Sequence, residues 1–246
     1  ETSLTSKLLK FFLRLVVSLT ASKVIYVSNY VAKIESFKKI DSHTIYNALE
    51  NSFLSNAKKT YYKHVYKNKF EVLMACSLKS YKGIPEFIKL VNKFKNDNTV
   101  KFKLILNATE IEISNYFKNE NLNNLSIYPK QSNLIPFYSS TSLVVNLSRV
   151  DEWIETFGLT ILEAMTFGIP VIAPPVGGPV ELIDDGHNGF LISSYNIDAL
   201  EKKIIELSKN KSLCMEISKN ARSKAFSFNM NEKSSELFKI LNQIQA

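Results

Sequence analysis

The chain has 246 residues, of which 45% are hydrophobic and 11% aromatic, so it has enough apolar material for a globular core and does not resemble a disordered protein. Its net charge of +8 suits an anionic partner, such as nucleic acid, a membrane surface or a phosphorylated small molecule, but no homeodomain, RRM or zinc-finger pattern is present. Its two cysteines, Cys76 and Cys214, are too far apart for a disulfide framework or a metal-binding spacing.

Residues 5–19 form the first predicted element, an amphipathic helix. Lys10 and Arg14 interrupt its apolar run, so the segment is too short and too charged to span a bilayer, and no cleavage pattern marks it as a signal peptide. The first residue is Glu rather than Met, which favours a chain that begins within a longer protein. Packing of this helix on a sheet and contact with a membrane surface are both open.

Strand and helix patterns alternate along the rest of the chain. Short apolar runs predict strands at 24–27, 44–46, 71–77, 102–106, 125–128, 143–147, 171–173 and 190–192. Helical spacing of apolar residues predicts helices at 83–96, 110–120, 133–140, 158–167, 178–184, 196–209, 211–224 and 229–245, while 56–68 is helical or irregular. This alternation predicts an α/β fold with a Rossmann-like parallel sheet and helices on both faces.

Ligands of such folds bind at the carboxyl ends of the strands, and the loop after residues 143–147 carries the most suggestive residues. Glu155 lies in this loop and Glu163 about two turns into the next helix. Because Glu163 shares a helix face with Leu159 and Leu162, a buried carboxylate there needs partners, which a ribose diol can supply. A solvated carboxylate, or one paired within the protein, is the alternative.

Three strand-end loops have features that suit a phosphate group, although each alone also fits an ordinary turn or helix start. Residues 156–158 lead into a helix whose first N–H groups and dipole attract anions. Lys82 offers a positive charge beside Gly83, which admits close backbone approach. Gly177 and Gly178 allow similar contact, and the convergence of these loops predicts a site for a phosphorylated sugar. No dinucleotide fingerprint or P-loop is present.

The order of several short motifs resembles the E-x7-E region of family 4 glycosyltransferases, and the resemblance extends from about Ala21 to about Phe228. The motifs are Glu155 and Glu163 with seven residues between them, Ala164-Met165, Gly168-Ile169-Pro170-Val171 and Gly177-Gly178. This family implies the GT-B fold, in which two Rossmann-like domains enclose the active site. It also implies transfer of a sugar, with retention, from a nucleotide-sugar donor to a saccharide or lipid-linked acceptor.

The resemblance also implies a division of the chain into three parts. Residues 1–45 would be the remnant of the N-terminal acceptor domain, 46–228 the nucleotide-sugar-binding domain, and 229–246 a C-terminal crossover helix. Because most of the first domain would be missing, we expect this chain alone to bind donor and to transfer slowly or not at all.

Site roles follow from the same resemblance. Glu163 would bind the ribose hydroxyls, Glu155 would lie against the transferred sugar, and Lys82 would neutralise the diphosphate. The other expected donor-binding residues are Phe157, Gly158 and Leu159 at the helix start, and Ser77, Lys79, Gly83, Tyr128, Lys130, Gly177 and Gly178. Ser77 stands where the family usually has Arg, and Lys79 is the candidate to replace its charge, though not its fork geometry.

The resemblance implies no metal and no other cofactor, because the nucleotide-sugar is a substrate. The expected partners are this donor and the acceptor, with a peripheral membrane contact as an option and no nucleic acid. The implied setting is bacterial polysaccharide or glycolipid synthesis, in the cytoplasm or at the inner face of the membrane. Two other functions stay open: a non-catalytic nucleotide-sugar binding module, and a basic binder of membranes or nucleic acid. The sequence leaves the sugar, the base and the oligomeric state undetermined.

Overall fold

A computed structural model describes residues 4–37, 39–60, 62, 69–118 and 123–243. Its strands are β1 (Lys23–Tyr26), β2 (Asp41–Thr44), β3 (Phe70–Ser77), β4 (Val100–Asn107), β5 (Leu125–Tyr128), β6 (Leu143–Val145), β7 (Val171–Ala173) and β8 (Phe190–Leu191). Its helices are α1 (Leu4–Thr20), α2 (Asn29–Ile34), α3 (Asn51–Lys58), α4 (Ile84–Lys93), α5 (Glu110–Tyr116), α6 (Ile135–Tyr138), α7 (Leu159–Thr166), α8 (Pro179–Leu182), α9 (Ile197–Lys209), α10 (Lys211–Ala225) and α11 (Met230–Asn242). A 3₁₀ turn, Ser80–Lys82, precedes α4.

The larger sheet has the strand order β5-β4-β3-β6-β7-β8, and all its pairs are parallel. From β3 the chain adds β4 and β5 in one direction, and it then adds β6, β7 and β8 in the other. The direction of winding therefore reverses between β3 and β6. In open parallel sheets, ligands bind in the crevice at the carboxyl ends of the strands beside such a reversal.

Apolar side chains of the central strands enter two cores, one on each face of this sheet. Val72 and Met74 of β3 pack with α4 and α9, whereas Leu73 between them packs with α3, α7 and α10. Alternate side chains of a strand point to opposite faces, so helices cover both faces. The predicted α/β fold, a Rossmann-like parallel sheet with helices on both faces, is confirmed.

Strands β1 and β2 pair in parallel and form a separate two-stranded sheet. The strand predicted at 44–46 was placed too late, because β2 runs from Asp41 to Thr44. Polar residues make up this strand, so it lacks the apolar run on which the prediction depended. Tyr46 instead lies beyond the strand, with its ring against Phe157 and Phe228.

Helix α1 does not bury its apolar residues. Eight large apolar side chains between Leu8 and Leu19 are 43–76% exposed, so the suggestion that residues 5–19 pack on a sheet is wrong for the described part of the chain. Lys10 and Arg14 bind Glu35 and hold α1 beside α2. Among the described residues, no helix has the length and apolar character needed to cross a membrane.

Smaller differences concern the ends of elements. Helix α3 begins at Asn51, earlier than the Lys- and Tyr-rich segment at 56–68, of which residues 61 and 63–68 lie outside the described residues. Helix α4 ends at Lys93, because the backbone N–H of Phe94 turns to the carbonyls of Val91 and Asn92. Helix α5 ends at Tyr116, and residues 119–122 lie outside the described residues.

Candidate active site

A cavity of about 200 Å³ lies at the carboxyl ends of β3 and β6, beside the point where the winding reverses. We call it the β3–β6 cavity. Its lining residues include Cys76 and Ser77 from β3, Asn146 and Ser148 after β6, Leu159 and Thr160 from α7, and both Lys82 and Glu155. The fold therefore brings together the two predicted catalytic residues, which are 73 positions apart in the sequence.

Lys82 and Glu155 form an ion pair across this cavity, with 3.0 Å between Lys82 Nζ and Glu155 Oε2. Both side chains are largely shielded, at 16% and 21% exposure. Lys82 Nζ also lies 4.9 Å from the ring centre of Trp153, which in turn stacks on Tyr81 at 5.2 Å. A cation shielded in this way interacts more strongly with an anion than one in bulk water does.

Gly83 allows the loop that carries Lys82 to approach the end of β6. Its φ is +84°, and a Cβ atom at this position would lie 2.0 Å from the carbonyl oxygen of Leu147. Any larger residue would therefore be strained by the left-handed backbone conformation, and its Cβ atom would clash with a fixed backbone atom. The approach brings Lys82 within reach of the β6–α7 loop.

The first turn of α7 faces the same cavity. Gly158 precedes the helix with φ of +101° and no side chain caps it. Among the described residues, no acceptor binds the backbone N–H groups of Gly158, Leu159 or Thr160. Since Leu159 and Thr160 line the cavity, these donors and the helix dipole create a place for an anion.

Gly177 and Gly178 pack behind the β6–α7 loop, which carries Glu155. A Cβ atom on Gly177 would lie 2.4 Å from the carbonyl oxygen of Glu155, and one on Gly178 would lie 2.3 Å from Cα of Phe157. The N–H of Gly178 donates to the carbonyl of Glu155 at 2.7 Å. Neither glycine lines the β3–β6 cavity, so in this structure the pair holds the loop in place.

A buried ion pair fixes the other end of this loop. Arg149 donates through Nε and Nη2 to both carboxylate oxygens of Glu86, at 3.1 and 2.9 Å. Glu86 lies in the first turn of α4 and is only 3% exposed. The backbone N–H of Arg149 also donates to the carbonyl of Tyr81, so the β3–α4 and β6–α7 loops form one unit.

Glu163 lies further along α7, in a largely buried position. Burial raises the pKa of its carboxyl above the ordinary value, while the hydroxyl of Tyr138, which donates to Oε2 at 2.7 Å, opposes this shift. No other described residue donates a hydrogen bond to the Glu163 carboxylate. Its remaining acceptor positions are available to a ligand with hydroxyl donors.

Two further cavities adjoin the first. One of about 250 Å³ lies at the ends of β3 and β4 and shares Ala75, Cys76 and Thr160 with the β3–β6 cavity. The other, of about 480 Å³, lies between α3, α6 and α7 and includes Leu159 and Glu163. Because the three cavities share lining residues, they lie side by side along α7, and together we call them the trough.

The remaining predicted site residues fall at different distances from the trough. Ser77 lines the β3–β6 cavity, and Lys130 lines the cavity at the ends of β3 and β4. Lys79 is exposed, lines none of the three cavities, and lies near Glu112 instead. Tyr128 packs edge-on against Phe137 at 5.0 Å, outside the trough. The ring of Phe157 is buried, so only its backbone can contact a ligand.

Several contributors to the site were missed in the sequence. Tyr138 and Trp153 belong to no motif, and their positions against Glu163 and Lys82 depend on contacts between distant segments. Ser148 is 1% exposed, and within the described residues its hydroxyl has no hydrogen-bond partner. Buried hydroxyls are normally satisfied, so a polar atom of a ligand is a natural partner here. Its place directly after a strand was the signal that could have identified it.

A family model described as glycosyl transferases group 1 matches residues 61–224, about two thirds of the chain. The chain belongs to the group 1 glycosyl transferases. The predicted resemblance to a glycosyltransferase family is thereby confirmed. The match includes Lys82, Glu155 and Glu163, so all three lie within the family's shared domain.

Relatives of this group 1 chain are mostly longer than it is. An uncharacterized glycosyltransferase of Methanocaldococcus jannaschii is 28% identical over 214 residues, which are 85% of this chain and 56% of that protein. The sucrose synthase of Melioribacter roseus is 53% identical over 51 residues, 21% of this chain and 6% of the enzyme. The chain thus spans about half the length of the first relative and a small part of the second.

Solved glycosyltransferase structures share the fold. The Rickettsia africae glycosyltransferase aligns with a TM-score of 0.79 at 23% identity, over 95% of this chain and 67% of that one. The Anabaena protein HepE, solved in complex with UDP-glucose, aligns equally well at 22% identity and the same coverage. At such identities the comparison establishes the common fold.

Among the described residues, no group of three or more His, Cys, Asp and Glu side chains is arranged to hold a metal ion.

Proposed function

We propose that this chain binds a nucleoside-diphosphate sugar in the trough along α7 and provides the donor half of a retaining glycosyltransferase. The observation that carries the proposal is the Lys82–Glu155 pair, which lines a shielded cavity beside the uncapped N-terminus of α7. Membership of the group 1 family supports the reaction class.

The diphosphate would occupy the β3–β6 cavity. There it would meet the ammonium of Lys82 and the N–H groups of Gly158, Leu159 and Thr160. These groups stabilise the negative charge that develops on the diphosphate when its bond to the sugar breaks. The hydroxyl of Ser148 would donate to the same group or to the sugar.

The transferred sugar would lie against Glu155. When its bond to the diphosphate breaks, the anomeric carbon acquires oxocarbenium-like positive charge, which a nearby carboxylate stabilises. The acceptor hydroxyl oxygen then bonds to the anomeric carbon on the face that the diphosphate leaves, and its proton passes to an oxygen of the departing diphosphate, which gives retention. The proposal assigns Glu155 this electrostatic role and does not require it to form a covalent intermediate.

The nucleoside would extend along α7 away from the sugar. Its ribose hydroxyls would donate to the free acceptor positions of Glu163, about one turn from the start of the helix. The base would enter the cavity at the ends of β3 and β4, which includes Asn107, Lys130 and Gln131. Uridine is the first base to test, because HepE was solved with UDP-glucose.

The division of the chain at residues 45 and 228 belongs to the same proposal. Residues 1–45 would end an acceptor domain and 229–246 would cross back to it. The acceptor, a saccharide or a lipid-linked sugar, would bind across the trough from Glu155. The match covers 56% of the archaeal relative, so a protein of that length has room for such a domain.

Calorimetric titration with UDP, GDP and ADP tests the donor site. We expect one nucleotide to bind and Glu163→Ala to abolish the binding. Lys82→Ala should weaken diphosphate binding about 10- to 100-fold, because it removes one charge-assisted hydrogen bond of about 1.5–3 kcal/mol. Lys79→Ala is the matched control, since this lysine is exposed and outside the trough.

Equal losses for the two lysine variants would show that only overall charge matters and would contradict the proposed phosphate site. If no nucleotide binds to this chain or to the full-length protein, the proposed function is wrong. With the full-length protein and UDP-glucose, the anomeric configuration of the product, read by NMR, tests retention. An inverted product would overturn that part of the proposal.

A further inference from the structure

The segment that contains β1, α2 and β2 contacts the β6–α7 loop directly. Because this loop carries Glu155, we call it the catalytic loop. Ser28 precedes α2, and its hydroxyl donates to the carbonyl of Thr156 at 2.6 Å. The same oxygen accepts the N–H of Val31 and so caps α2. Ser28 is fully buried, and Thr156 directly follows Glu155.

Glu181 of α8 makes a second contact between the same two parts. Its carboxylate accepts the backbone N–H groups of Asn29 and Tyr30 at 3.0 and 2.7 Å, and the hydroxyl of Tyr46 at 2.8 Å. A carboxylate at the start of a helix is favoured by the free N–H groups and the dipole. One side chain therefore joins α8, α2 and the segment after β2.

An aromatic cluster completes the junction. The ring of Tyr46 lies 6.1 Å from that of Phe157 and 5.5 Å from that of Phe228, and the two phenylalanine rings are 6.0 Å apart. The ring of Phe157 thus contacts Tyr46, while Gly178 fits against its backbone. The Ser28 hydrogen bond reaches Thr156 directly and the Tyr46 ring reaches Phe157, whereas Glu181 acts on them through α2 and Tyr46.

We propose that Ser28 and Glu181 are positioning residues, which couple the placement of residues 23–46 to the conformation of the loop that carries Glu155. This proposal rests on the proposed function, because it concerns a second support, outside the larger sheet, for the loop that carries the proposed catalytic residue Glu155. If residues 23–46 shift, the Thr156 carbonyl loses its donor and Phe157 loses the Tyr46 ring. The loop then keeps its contacts with Gly177, Gly178 and Arg149, together with the Lys82–Glu155 ion pair and the Phe228 ring beside Phe157. Donor binding and the orientation of the two parts become linked in this way.

A single tryptophan makes the coupling measurable without any nucleotide. Trp153 is the one tryptophan of the chain, and it lies in this loop, two residues before Glu155. Its ring is 44% exposed and stacks on Tyr81. We expect Ser28→Ala and Glu181→Ala to raise the acrylamide quenching constant of Trp153 fluorescence. The upper limit is about twofold, because Trp153 is already 44% exposed and full release of the loop would expose the rest of the side chain. Glu181→Gln retains one acceptor oxygen and should have an intermediate effect.

Asn210→Ala provides the matched control. Asn210 caps α10 through the N–H of Leu213, so its loss also removes a helix cap, but at a position away from the catalytic loop. Thermal denaturation of all variants measures the general loss of stability. If Ser28→Ala and Glu181→Gln lower Tm like Asn210→Ala and leave Trp153 quenching unchanged, the junction is only stabilising and the proposal is wrong.

Titration with UDP separates this proposal from the proposed function. If the junction acts as proposed, the variants with loosened loops also bind UDP more weakly, and Ser28→Thr, which keeps a capping hydroxyl, recovers the affinity better than Ser28→Ala. Changed quenching without any binding of UDP, GDP or ADP by the wild-type protein would uphold the coupling and contradict the donor site. Unchanged quenching with normal UDP binding would contradict the coupling and support the donor site.

Discussion

Glu163 combines a structural cost with a proposed role in binding. Burial raises the pKa of its carboxyl, which means that the folded protein disfavours the charged form. The Tyr138 hydroxyl offsets this cost only in part. A carboxylate kept in such a place at the expense of stability fits a site whose ligand supplies the missing donors.

Glu163→Gln should therefore be at least as stable as the wild type near neutral pH and should lose nucleotide affinity. The raised folded-state pKa means that the wild-type carboxyl costs stability above that pKa and costs nothing below the ordinary value of 4.5. The stability advantage of the variant should thus grow as the pH rises from the ordinary value of 4.5 through the raised folded-state pKa. Urea denaturation across this range measures it.

Glu216→Gln is the control for this experiment, because Glu216 lies exposed on α10 and should show no comparable trend. A wild type that gains stability over Glu163→Gln as the pH rises would mean that the folded state favours the carboxylate. That result would contradict the assigned cause, the burial of Glu163.

The ion pair between Arg149 and Glu86 leads to a second prediction. Arg149→Met leaves Glu86, which is 3% exposed, as a buried charge without its main partner, and should cost about 3–5 kcal/mol of unfolding free energy. Adding Glu86→Gln should recover much of this loss, because the neutral side chain is cheaper to bury. Urea denaturation of both variants gives the comparison, and equal stability of the single and double variants would contradict it.

At the scale of elements, the loops after β3 and β6 depend on Gly83. Gly83→Ala must accommodate a Cβ atom 2.0 Å from the Leu147 carbonyl oxygen at a φ of +84°. Gly186 has a similar φ of +73° but nothing within 4 Å, so Gly186→Ala measures the backbone cost alone. We expect Gly83→Ala to destabilise by at least about 2 kcal/mol more than Gly186→Ala. Similar losses in the two variants would show that the loops separate easily.

Local patterns were sufficient to predict most elements of the larger sheet. The strand at 125–128 has the predicted bounds, and the apolar run at 71–77 lies within β3. Strand β3 is mostly buried and apolar, and three of the four residues of β5 are apolar or aromatic and partly buried, so composition identifies both strands. Strand β2 contains the polar residues Asp-Ser-His-Thr and pairs with a single neighbour, so no apolar pattern marks its bounds.

The candidate site was predictable only where residues belong to a local motif. Glu155 and Glu163 were found because a fixed spacing places them on one loop and helix. The partners of these and nearby residues come from distant segments: Tyr138 for Glu163, and Asn29 and Tyr30 for Glu181. Gly177 and Gly178 were predicted to approach a ligand closely, and what approaches them in the structure is the β6–α7 loop. Chemistry is thus easier to predict from sequence than the contacts that hold it in place.

For the whole molecule, the exposed helix α1 is the largest feature that the larger sheet does not explain. Its exposed side chains include Leu9, Phe11 and Phe12, and Leu4–Thr20 contains basic residues and no acidic ones. A basic amphipathic helix of this kind suits either the anionic surface of a membrane or an apolar protein surface. The net charge of +8 favours the anionic surface.

We therefore expect the chain to sediment with vesicles of phosphatidylcholine and phosphatidylglycerol, and to bind less to vesicles of phosphatidylcholine alone. Leu9→Glu with Phe12→Glu should abolish binding, because each change places a charge on the apolar surface of α1. Ile111→Glu is the control, since Ile111 is 75% exposed on α5, far along the chain from α1. If the vesicles bind nothing and the wild-type chain instead forms dimers that the α1 double variant does not, α1 is a protein interface. The fold then requires another surface, and not a membrane, to cover this helix.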